Sequence, residues 1–267
     1  ERPADFHGTG PFRVETGEKI RSKDGRTFTE AFGAKMAQLG QGSSRIIAIT
    51  AAMSDGTGLQ NFAAQFPERF VDVGIAEAHA IGLAAGLAKG GFKPVVAVYS
   101  TFLQRGYDQI IHDVCLQNLP VVFCLDRAGL VGEDGPTHHG VFDISYLRHI
   151  PNLVVMAAST PAELEEMLEF AVDLNRPVAI RYPKGSAPEP SASPRPPIEL
   201  GKAEILKNGK DLAIISVGSM LATAMDTAAI LSKDRIEAAV INARFASPLD
   251  EELLASVLRD TKRIVTL

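Results

Sequence analysis

Cysteine is scarce in this chain. The 267 residues include two, Cys115 in a predicted helix and Cys124 in a predicted strand. Two such cysteines provide neither a disulfide framework nor the ligand spacing of a metal site, so we interpret both as small core residues. A chain without disulfides is typical of a reducing compartment, which predicts a cytoplasmic protein.

Other absences narrow the class of protein further. No apolar run reaches the roughly 18–20 residues that cross a bilayer, and no secretory signal stands at the N-terminus. No basic block suggests nucleic acid, and the formal net charge is −5. The content of 46% hydrophobic and 22% charged residues is that of a soluble globular protein with one large domain or two ordinary ones. Because the first residue is Glu1 and not Met, we expect that processing or truncation removed an earlier part.

Strands and helices alternate along most of the chain. Short apolar runs predict strands at 45–50, 70–75, 94–100, 120–126, 153–158 and 177–182. The segments between them predict helices at 27–39, 77–89, 101–117 and 161–174. Nearly continuous apolar strands that alternate with helices are typical of a parallel sheet covered on both faces, so we predict a doubly wound α/β domain.

A proline-rich segment separates this domain from a second α/β unit. Its prolines are expected to keep it extended and away from any packed core. Strands at 211–217, 236–242 and 263–267, with helices at 220–231 and 248–258, then predict a smaller domain of about 70 residues, fewer than such domains usually have. We predict an interdomain arm at 1–20, the first domain at 21–185, a linker at 186–200 and an incomplete second domain at 201–267.

The most informative acid lies between Arg69 and Lys89. A strand ending at Ile75 leads into a helix of small apolar residues, and Glu77 is the one acid in that helix. Its place in the first turn favours the charged carboxylate, whereas burial favours the neutral form. A carboxyl group under both influences can exchange a proton near neutral pH, as an acid–base catalyst must. The alternative is a solvated acid that only complements the helix dipole.

A second polar group follows the next predicted strand, in the run Tyr99-Ser100-Thr-Phe102-Leu-Gln-Arg105. Ligands of doubly wound sheets bind beyond the carboxyl ends of the strands. Ser100 is placed to cap the following helix, and Phe102 and Arg105, three residues apart, share a helix face. An aromatic ring beside a cation suits a flat polar heterocycle. The alternative is a core Phe102 and an Arg105 that pairs with Asp108.

The loop after the strand at 120–126 carries a third group, consisting of Arg127, Asp134, His138 and His139. Loops with such residues at a strand's carboxyl end are often functional, although a solvated turn is the alternative. Adjacent histidines suit one tetrahedral zinc ion poorly, so we expect no metal here. Arg181 ends the strand at 177–182 beside Arg127, and two converging arginines suit a phosphate or carboxylate. Alternatively, each arginine pairs with an acid at the domain contact.

Taken in order, these motifs resemble those of the transketolase-like thiamine diphosphate enzymes. They are Ile75-Ala-Glu77-Ala-His79, Tyr99-Ser-Thr-Phe102-Leu-Gln-Arg105, Asp126-Arg127-Ala-Gly129, Asp134-Gly-Pro-Thr-His138 and Arg181-Tyr-Pro-Lys-Gly. The likeness covers essentially the whole chain, from residues 6–12 to residues 242–250. The runs at 99–105 and 134–138 favour the branch of the family that joins pyruvate, with loss of carbon dioxide, to D-glyceraldehyde 3-phosphate, the entry step of the non-mevalonate isoprenoid route.

The resemblance implies a role for each of these side chains. Glu77 would hydrogen-bond the aminopyrimidine ring of thiamine diphosphate and so help to form the ylid, with Phe102 stacked on the ring and Ile75 and Arg105 beside it. His138 would transfer a proton or stabilise an intermediate. The side chains that would bind the aldehyde substrate and its phosphate are Tyr99, Arg127, Asp134 and Arg181.

The chain also departs from the family pattern. Ala78 stands where glutamine is more common and Ala51 where proline is common, and we expect both to be tolerated. The family's preceding domain, with a Gly-Asp-Gly motif, the Mg²⁺ and diphosphate ligands and catalytic histidines, is not in this sequence, and the segment 54–58 does not replace it. We therefore expect the chain alone to be inactive and the full enzyme to be a homodimer.

Two other hypotheses stay open. The chain could belong to a transketolase or to the β-subunit of a 2-oxo acid dehydrogenase, which also carry an acid in an apolar helix. It could instead be a non-catalytic subunit that completes the site of a partner.

Overall fold

The computed structural model describes residues 12–18, 25–188, 195–261 and 263–267. Much of the predicted arm at 1–20, including most of the 6–12 motif, therefore lies outside the described residues. Within them, the strands form a seven-stranded sheet and a four-stranded sheet. No helix in these ranges combines the length and the hydropathy that a membrane span requires.

The larger sheet has the strand order β10-β5-β6-β4-β3-β1-β2. Its parallel strands are β1 (Ile46–Thr50), β2 (Phe70–Asp72), β3 (Lys93–Tyr99), β4 (Val122–Asp126), β5 (Val154–Ala157) and β6 (Val178–Arg181). The strands β3 and β4 lie at the centre of the sheet, with β1 and β2 on one side and β6, β5 and β10 on the other. This confirms the doubly wound α/β fold, and it brings the carboxyl ends of β3, β4 and β6 side by side.

Helices cover both faces of this sheet. They are α1 (Phe28–Gly42), α2 (Gln60–Gln65), α3 (Glu77–Lys89), α4 (Ser100–Leu103), α5 (Tyr107–Gln109), α6 (Asp143–Leu147) and α7 (Pro161–Asp173). Thr27 and Glu30 form a capping box at the start of α1, and the Thr160 side chain accepts a hydrogen bond from the Glu163 amide at the start of α7. These caps explain why both helices begin where the sequence indicates.

The continuous helix predicted at 101–117 was wrong. The chain there changes from α4 through a 3₁₀ turn at Gln104–Gly106 and α5 to a π-helix at Ile110–Cys115. At Gly106 a Cβ atom would lie 2.0 Å from Cδ1 of Ile81, so this segment approaches α3 more closely than a side chain would allow. Close packing against α3 therefore overrides regular helix geometry.

Two apolar clusters form the core on either side of the larger sheet. One includes Ile81, Val98 and Phe123, and the other includes Phe28 and Phe32 of α1. Cys115 and Cys124 are both buried in these clusters, as expected. Burial raises the pKa of the Cys115 thiol to about 12, so this thiol is not poised to react.

The smaller sheet has the order β11-β8-β9-β7. It contains β7 (Glu204–Lys207), β8 (Leu212–Ser216), β9 (Ala238–Asn242) and β11 (Ile264–Thr266), with helices α8 (Leu221–Lys233) and α9 (Glu251–Asp260). The strand β7 was not predicted, and it pairs antiparallel with β9. The strand β10 (Phe245–Ser247) was not predicted either, and it pairs antiparallel with β5 of the larger sheet.

A buried charge cluster joins the two sheets. Oε1 of Glu163, at the start of α7, lies 3.1 Å from Nε of Arg244 and 2.6 Å from Nη2 of Arg195. Both arginines also pair with Glu204 of β7, and Asn242 donates to Glu163. The expectation that the linker stays away from any packed core was therefore wrong at its carboxyl-terminal end, because a buried carboxylate needs the charge that Arg195 supplies.

Candidate active site

Glu77 is the first residue of α3, and its side chain is 3% exposed. Its Oε1 atom accepts a hydrogen bond of 2.8 Å from Nη1 of Arg105. Oε2 accepts no hydrogen bond from any other residue that the structure describes. The solvated alternative for Glu77 is thereby excluded, and one carboxylate oxygen stays available to a ligand.

Phe102 lies beside this ion pair. Cζ of Arg105 is 4.9 Å from the centre of the Phe102 ring, so the predicted aromatic–cation contact is formed. Arg105 pairs with Glu77 and not with Asp108, and its side chain is 55% exposed. Phe102 is half-buried rather than sealed in the core. The ring and the cation therefore border a space that is open to solvent.

His138 is brought to the same place by its loop. The ring centres of Phe102 and His138 are 5.3 Å apart in an edge-to-face arrangement, and Tyr99 stacks on Phe102 at 5.9 Å. Thr101 donates a hydrogen bond of 3.2 Å to the Thr137 carbonyl, which fixes the loop against α4. Glu77, Phe102 and His138, predicted from three separate motifs, thus form one contiguous site.

Arg127 lies on the other side of Tyr99. Its Cζ atom is 3.8 Å from the centre of the Tyr99 ring, and its Nη1 atom donates to the Gly56 carbonyl at 2.9 Å. Its φ of +60° places it in the left-handed region, which costs a residue with a side chain on the order of 1–3 kcal/mol. The contacts of the guanidinium group hold the residue in this conformation.

Asp134 connects Arg127 to Lys184. Its Oδ2 atom accepts from Nε of Arg127 at 3.2 Å, and its Oδ1 atom accepts from Nζ of Lys184 at 2.6 Å. Burial raises the pKa of the Asp134 carboxyl, but Lys184 and Arg127 outweigh burial and leave this pKa below its usual range. Sequence reasoning missed Lys184, although its place three residues after Arg181, beyond the carboxyl end of the same strand, was a usable signal.

Arg181 reaches the same edge of the sheet from β6. It pairs in register with Leu125 of β4, two residues before Arg127, so the predicted proximity of these two strand ends is confirmed. Nε of Arg181 donates to Oδ2 of Asp143 at 3.0 Å. The alternative that each arginine pairs with an acid is thus correct as to pairing. Its location was wrong, because Asp134 lies between β4 and α6 and Asp143 begins α6, so neither acid belongs to the smaller sheet.

Ser100 does not cap α4. Tyr99 occupies the cap position without a side-chain hydrogen bond, whereas the buried Ser100 hydroxyl donates to Oδ2 of Asp143 at 2.9 Å. Sequence reasoning missed Asp143, because no motif or periodicity distinguishes it from other acids at the start of a short helix.

A buried carboxyl group lies directly behind Arg127. Oδ2 of Asp126 accepts a hydrogen bond of 2.8 Å from Thr29, and its Oδ1 atom is 3.3 Å from Nη1 of Arg127. Burial raises the pKa of Asp126 to about 6, even though Arg127 and Thr29 act in the opposite direction. This group therefore titrates within the range in which many enzymes work.

The segment 54–58 also contributes to the site. A Cβ atom at Gly56 would lie 1.7 Å from the Tyr99 hydroxyl oxygen, so a side chain there would displace Tyr99. The sequence shows a glycine-rich turn at this point, but only the packing shows that it supports Tyr99 and Arg127.

Two further residues singled out in the sequence, Ile75 and His139, lie at the margin of the candidate site. The strand β2 ends at Asp72, so the prediction that it extends to Ile75 was wrong, and Ile75 is 80% exposed in the turn before α3. Nδ1 of His139 accepts from the Val131 amide at 3.1 Å, which gives this histidine a role in the loop's structure. Among the described side chains, no group of three or more His, Cys, Asp or Glu residues is placed to hold a metal ion.

Known proteins resemble this chain in sequence and in fold. The family model for the pyrimidine-binding domain of transketolase matches residues 24–190, and the model for the C-terminal domain of transketolase matches residues 201–267. The 1-deoxy-D-xylulose-5-phosphate synthase of Halothermothrix orenii is 51% identical over all of this chain, and synthase 1 of Geobacter sulfurreducens is 54% identical over 99% of it. The chain spans 42% of the length of each of these two relatives.

A solved structure described as a split-gene transketolase, in an inactive β4 tetramer, superposes with a TM-score of 0.81. It is 33% identical and covers 91% of this chain, which in turn covers 79% of that structure. Together with the family models, this likeness shows that the chain belongs to the transketolase family, in which curated 1-deoxy-D-xylulose-5-phosphate synthases are homologues at about half identity.

Proposed function

We propose that this chain forms the pyrimidine-binding side of the active site of a 1-deoxy-D-xylulose-5-phosphate synthase. The reaction joins pyruvate, with loss of carbon dioxide, to D-glyceraldehyde 3-phosphate as a first step of isoprenoid synthesis. The observation that carries the proposal is the buried Glu77 carboxylate, with one oxygen on Arg105 and the other available, beside the half-buried Phe102 ring. Identity of 51–54% to curated synthases supports this reaction over the other reactions of the family.

These residues fit the aminopyrimidine ring of thiamine diphosphate. When bound, this cofactor supplies the carbon nucleophile that attacks pyruvate. Oε2 of Glu77 accepts no other hydrogen bond among the described residues, so it can hold a proton shared with a ring nitrogen. Burial strengthens that hydrogen bond because water does not compete for the carboxylate. Phe102 would pack against the flat ring, and Ile75 and Arg105 would border it.

We assign the substrate aldehyde to the side of the site that carries Arg127 and Arg181. Arg127 and Arg181 offer positive charge to a phosphate group, and Tyr99 and Asp134 offer polar atoms to the hydroxyl and carbonyl groups. The His138 ring lies near those of Tyr99 and Phe102, and we assign to this imidazole the proton transfer during carbon–carbon bond formation.

Mg²⁺ and the diphosphate group of the cofactor need ligands beyond these residues. We place the Mg²⁺ and diphosphate ligands in the preceding domain that the family resemblance implies, and we therefore propose that the chain alone is inactive. We also propose a cytoplasmic homodimer for the complete enzyme. Measurable decarboxylation of pyruvate by the 267-residue chain with thiamine diphosphate and magnesium would contradict the first of these points.

The likeness to a split-gene transketolase supports a second candidate. In that case the chain is one subunit of a two-chain enzyme, and a partner polypeptide with the Gly-Asp-Gly motif co-purifies with it. The 33% identity to the split-gene protein is lower than the identity to the synthases, so this candidate ranks second. The product formed by the complete enzyme distinguishes the candidate reactions. A synthase forms deoxyxylulose phosphate, a transketolase forms sedoheptulose phosphate, and a 2-oxo acid dehydrogenase forms an acyl-transfer product.

Glu77→Ala and Glu77→Gln in a full-length protein that includes this chain test the proposal. We expect turnover to fall by about 100-fold or more while the affinity for thiamine diphosphate changes little, because proton exchange is lost but the other ring contacts remain. Glu165→Gln is the matched control, since Glu165 forms a surface ion pair with Arg26. Unchanged turnover in Glu77→Gln would overturn the role of this residue.

A further inference from the structure

Asp143 is a buried carboxylate at the edge of the candidate site that the proposed function leaves without a role. It begins α6 and is almost completely buried. Its Oδ2 atom accepts two hydrogen bonds, from the Ser100 hydroxyl at 2.9 Å and from Nε of Arg181 at 3.0 Å. Its Oδ1 atom accepts from the Ile144 amide at 2.7 Å. Both oxygens are therefore fixed by groups from three separate elements, which leaves the carboxylate one orientation.

The pairing between Asp143 and Arg181 has an unusual form. The arginine uses its Nε atom alone, whereas an ion pair that only stabilises a fold gains most from a bidentate arrangement. Nη1 and Nη2 of Arg181 donate to no other group in the described part of the chain. The carboxylate thus binds the guanidinium group through Nε and leaves the two terminal nitrogens available.

Asp143 also links Arg181 to the aromatic side of the site. Ser100, which donates to the same oxygen, immediately follows Tyr99 and is two residues before Phe102. The loop around Gly140 is packed tightly here, since a Cβ atom at Gly140 would lie 2.4 Å from the Ser100 hydroxyl. The position of Arg181 relative to the Tyr99 and Phe102 rings is therefore set through one buried carboxylate.

We propose that Asp143 is the positioning residue for Arg181 and determines the preference for a phosphorylated aldehyde. This inference rests on the proposed function of Arg181 as a phosphate ligand. The Asp143 carboxylate fixes Nε, so that the terminal nitrogens are presented to a phosphate group in a bidentate arrangement. Without it, the guanidinium group keeps its charge but loses its fixed direction.

The first test uses Asp143→Asn in the full-length holoenzyme, with Asp173→Asn as the matched control because Asp173 forms an exposed pair with Lys93. We expect the KM for D-glyceraldehyde 3-phosphate to rise about tenfold, with the KM for pyruvate changed by less than about twofold. The preference for this substrate over unphosphorylated D-glyceraldehyde should fall by a similar factor. Equal changes in both KM values, or an unchanged preference, would overturn the proposal.

Arg181→Lys provides a double-mutant test. If Asp143 acts through Arg181, Asp143→Asn changes the KM for the phosphorylated aldehyde little further in the Arg181→Lys background. Full additivity of the two effects would contradict a positioning role. If Asp143→Asn does not fold, Ser100→Ala replaces it, because it removes one hydrogen bond from Asp143 and should shift the same preference by about two- to threefold. No shift in that folded variant would overturn the proposal.

A spectroscopic measurement separates this inference from the proposed function. In the ¹⁵N-labelled 267-residue chain, the Nε–H resonance of Arg181 is assigned by its loss in Arg181→Lys. We expect it to exchange slowly with water, to exchange faster in Asp143→Asn and to stay unchanged in Asp173→Asn. An unaltered resonance in Asp143→Asn refutes the contact. Absence of synthase turnover in the unsubstituted full-length protein refutes the proposed function instead.

Discussion

Nη1 of Arg105 lies 2.8 Å from Oε1 of Glu77, and the two side chains differ sharply in exposure, at 55% and 3%. The buried Glu77 carboxylate is therefore linked to the solvent-facing side of the site by Arg105, which also contacts the Phe102 ring. This relationship connects the start of α3 to the aromatic residues after β3. It also makes Arg105 the side chain whose removal changes the site with little effect on the fold.

Arg105→Ala should lower turnover of the full-length enzyme by about 10- to 100-fold, because the carboxylate of Glu77 loses the cation that orients it. The free energy of unfolding should fall by no more than about 1–2 kcal/mol, because the arginine is more than half exposed although the buried Glu77 carboxylate loses the hydrogen bond that it donates. Arg148→Ala, at an exposed position, is the control for loss of a surface arginine. Normal turnover in Arg105→Ala would show that Glu77 needs no such partner.

Asp126→Asn should change how stability depends on pH. The pKa of Asp126 is raised from 3.8 to about 6, so the folded chain binds this proton more tightly than the unfolded chain does. That contribution is complete below the unfolded pKa and is lost as the pH rises through about 6. Over this range it amounts to about 3 kcal/mol.

Urea unfolding at about pH 4 and about pH 7 tests this expectation. The difference in unfolding free energy between Asp126→Asn and the unsubstituted chain should shift in favour of the variant as the pH rises. Asp173→Asn, at an exposed site, should show no comparable shift. A constant difference across the range would mean that Asp126 does not titrate there.

Arg127→Gly should lower both stability and activity. Glycine relieves the strain of the left-handed backbone, but the buried Asp126 carboxylate loses the cation beside it and the contacts with Asp134 and Gly56 are lost, so the unfolding free energy at about pH 7 should fall by about 1–3 kcal/mol. The kcat/KM for the aldehyde substrate should fall about 100-fold, because the charge facing its phosphate is gone.

Arg235→Gly is the matched control, since Arg235 has a φ of +62° at an exposed position. It should leave kcat/KM unchanged. If Arg127→Gly retained full activity, the arginine would be a structural residue only.

Glu163→Gln should destabilise the chain by about 3–5 kcal/mol, because Arg195 and Arg244 would lose the carboxylate that compensates their buried charge. Glu165→Gln, two residues away in a surface pair, should cost no more than about 1 kcal/mol. Chemical denaturation of both variants gives the comparison. Equal small losses would show that the two sheets do not depend on this cluster.

Much of the site could be predicted from the sequence because its residues stand at the ends of recognisable strands. The helix Glu77–Lys89 was predicted to the residue, since an acid opens a run of small apolar residues that ends at Lys89, before the pair Gly90-Gly91. The contact between Phe102 and Arg105 followed from their spacing, and the nearness of the β4 and β6 ends followed from strands that alternate with helices. The catalytic and binding roles assigned to these residues stay predictions.

Other features carried no local signal. The strands β7 and β10 are short, and each needs an antiparallel partner that is distant in the sequence. Lys184 and Asp143 look like ordinary charged residues until the loops fold against each other. Arg195 follows prolines that indicate an extended linker, but its position is decided by the buried carboxylates of Glu163 and Glu204.

The sequence by itself determined the family, the alternating α/β order and the acid at the start of α3, because hydrophobic periodicity and short motifs act over neighbouring residues. The tertiary structure alone decided which charges meet: Arg105 with Glu77, Arg181 with Asp143, and Arg195 and Arg244 with Glu163. The physical reason is that a buried charge must find a partner wherever packing brings one, and that partner is chosen by the whole fold rather than by nearby sequence.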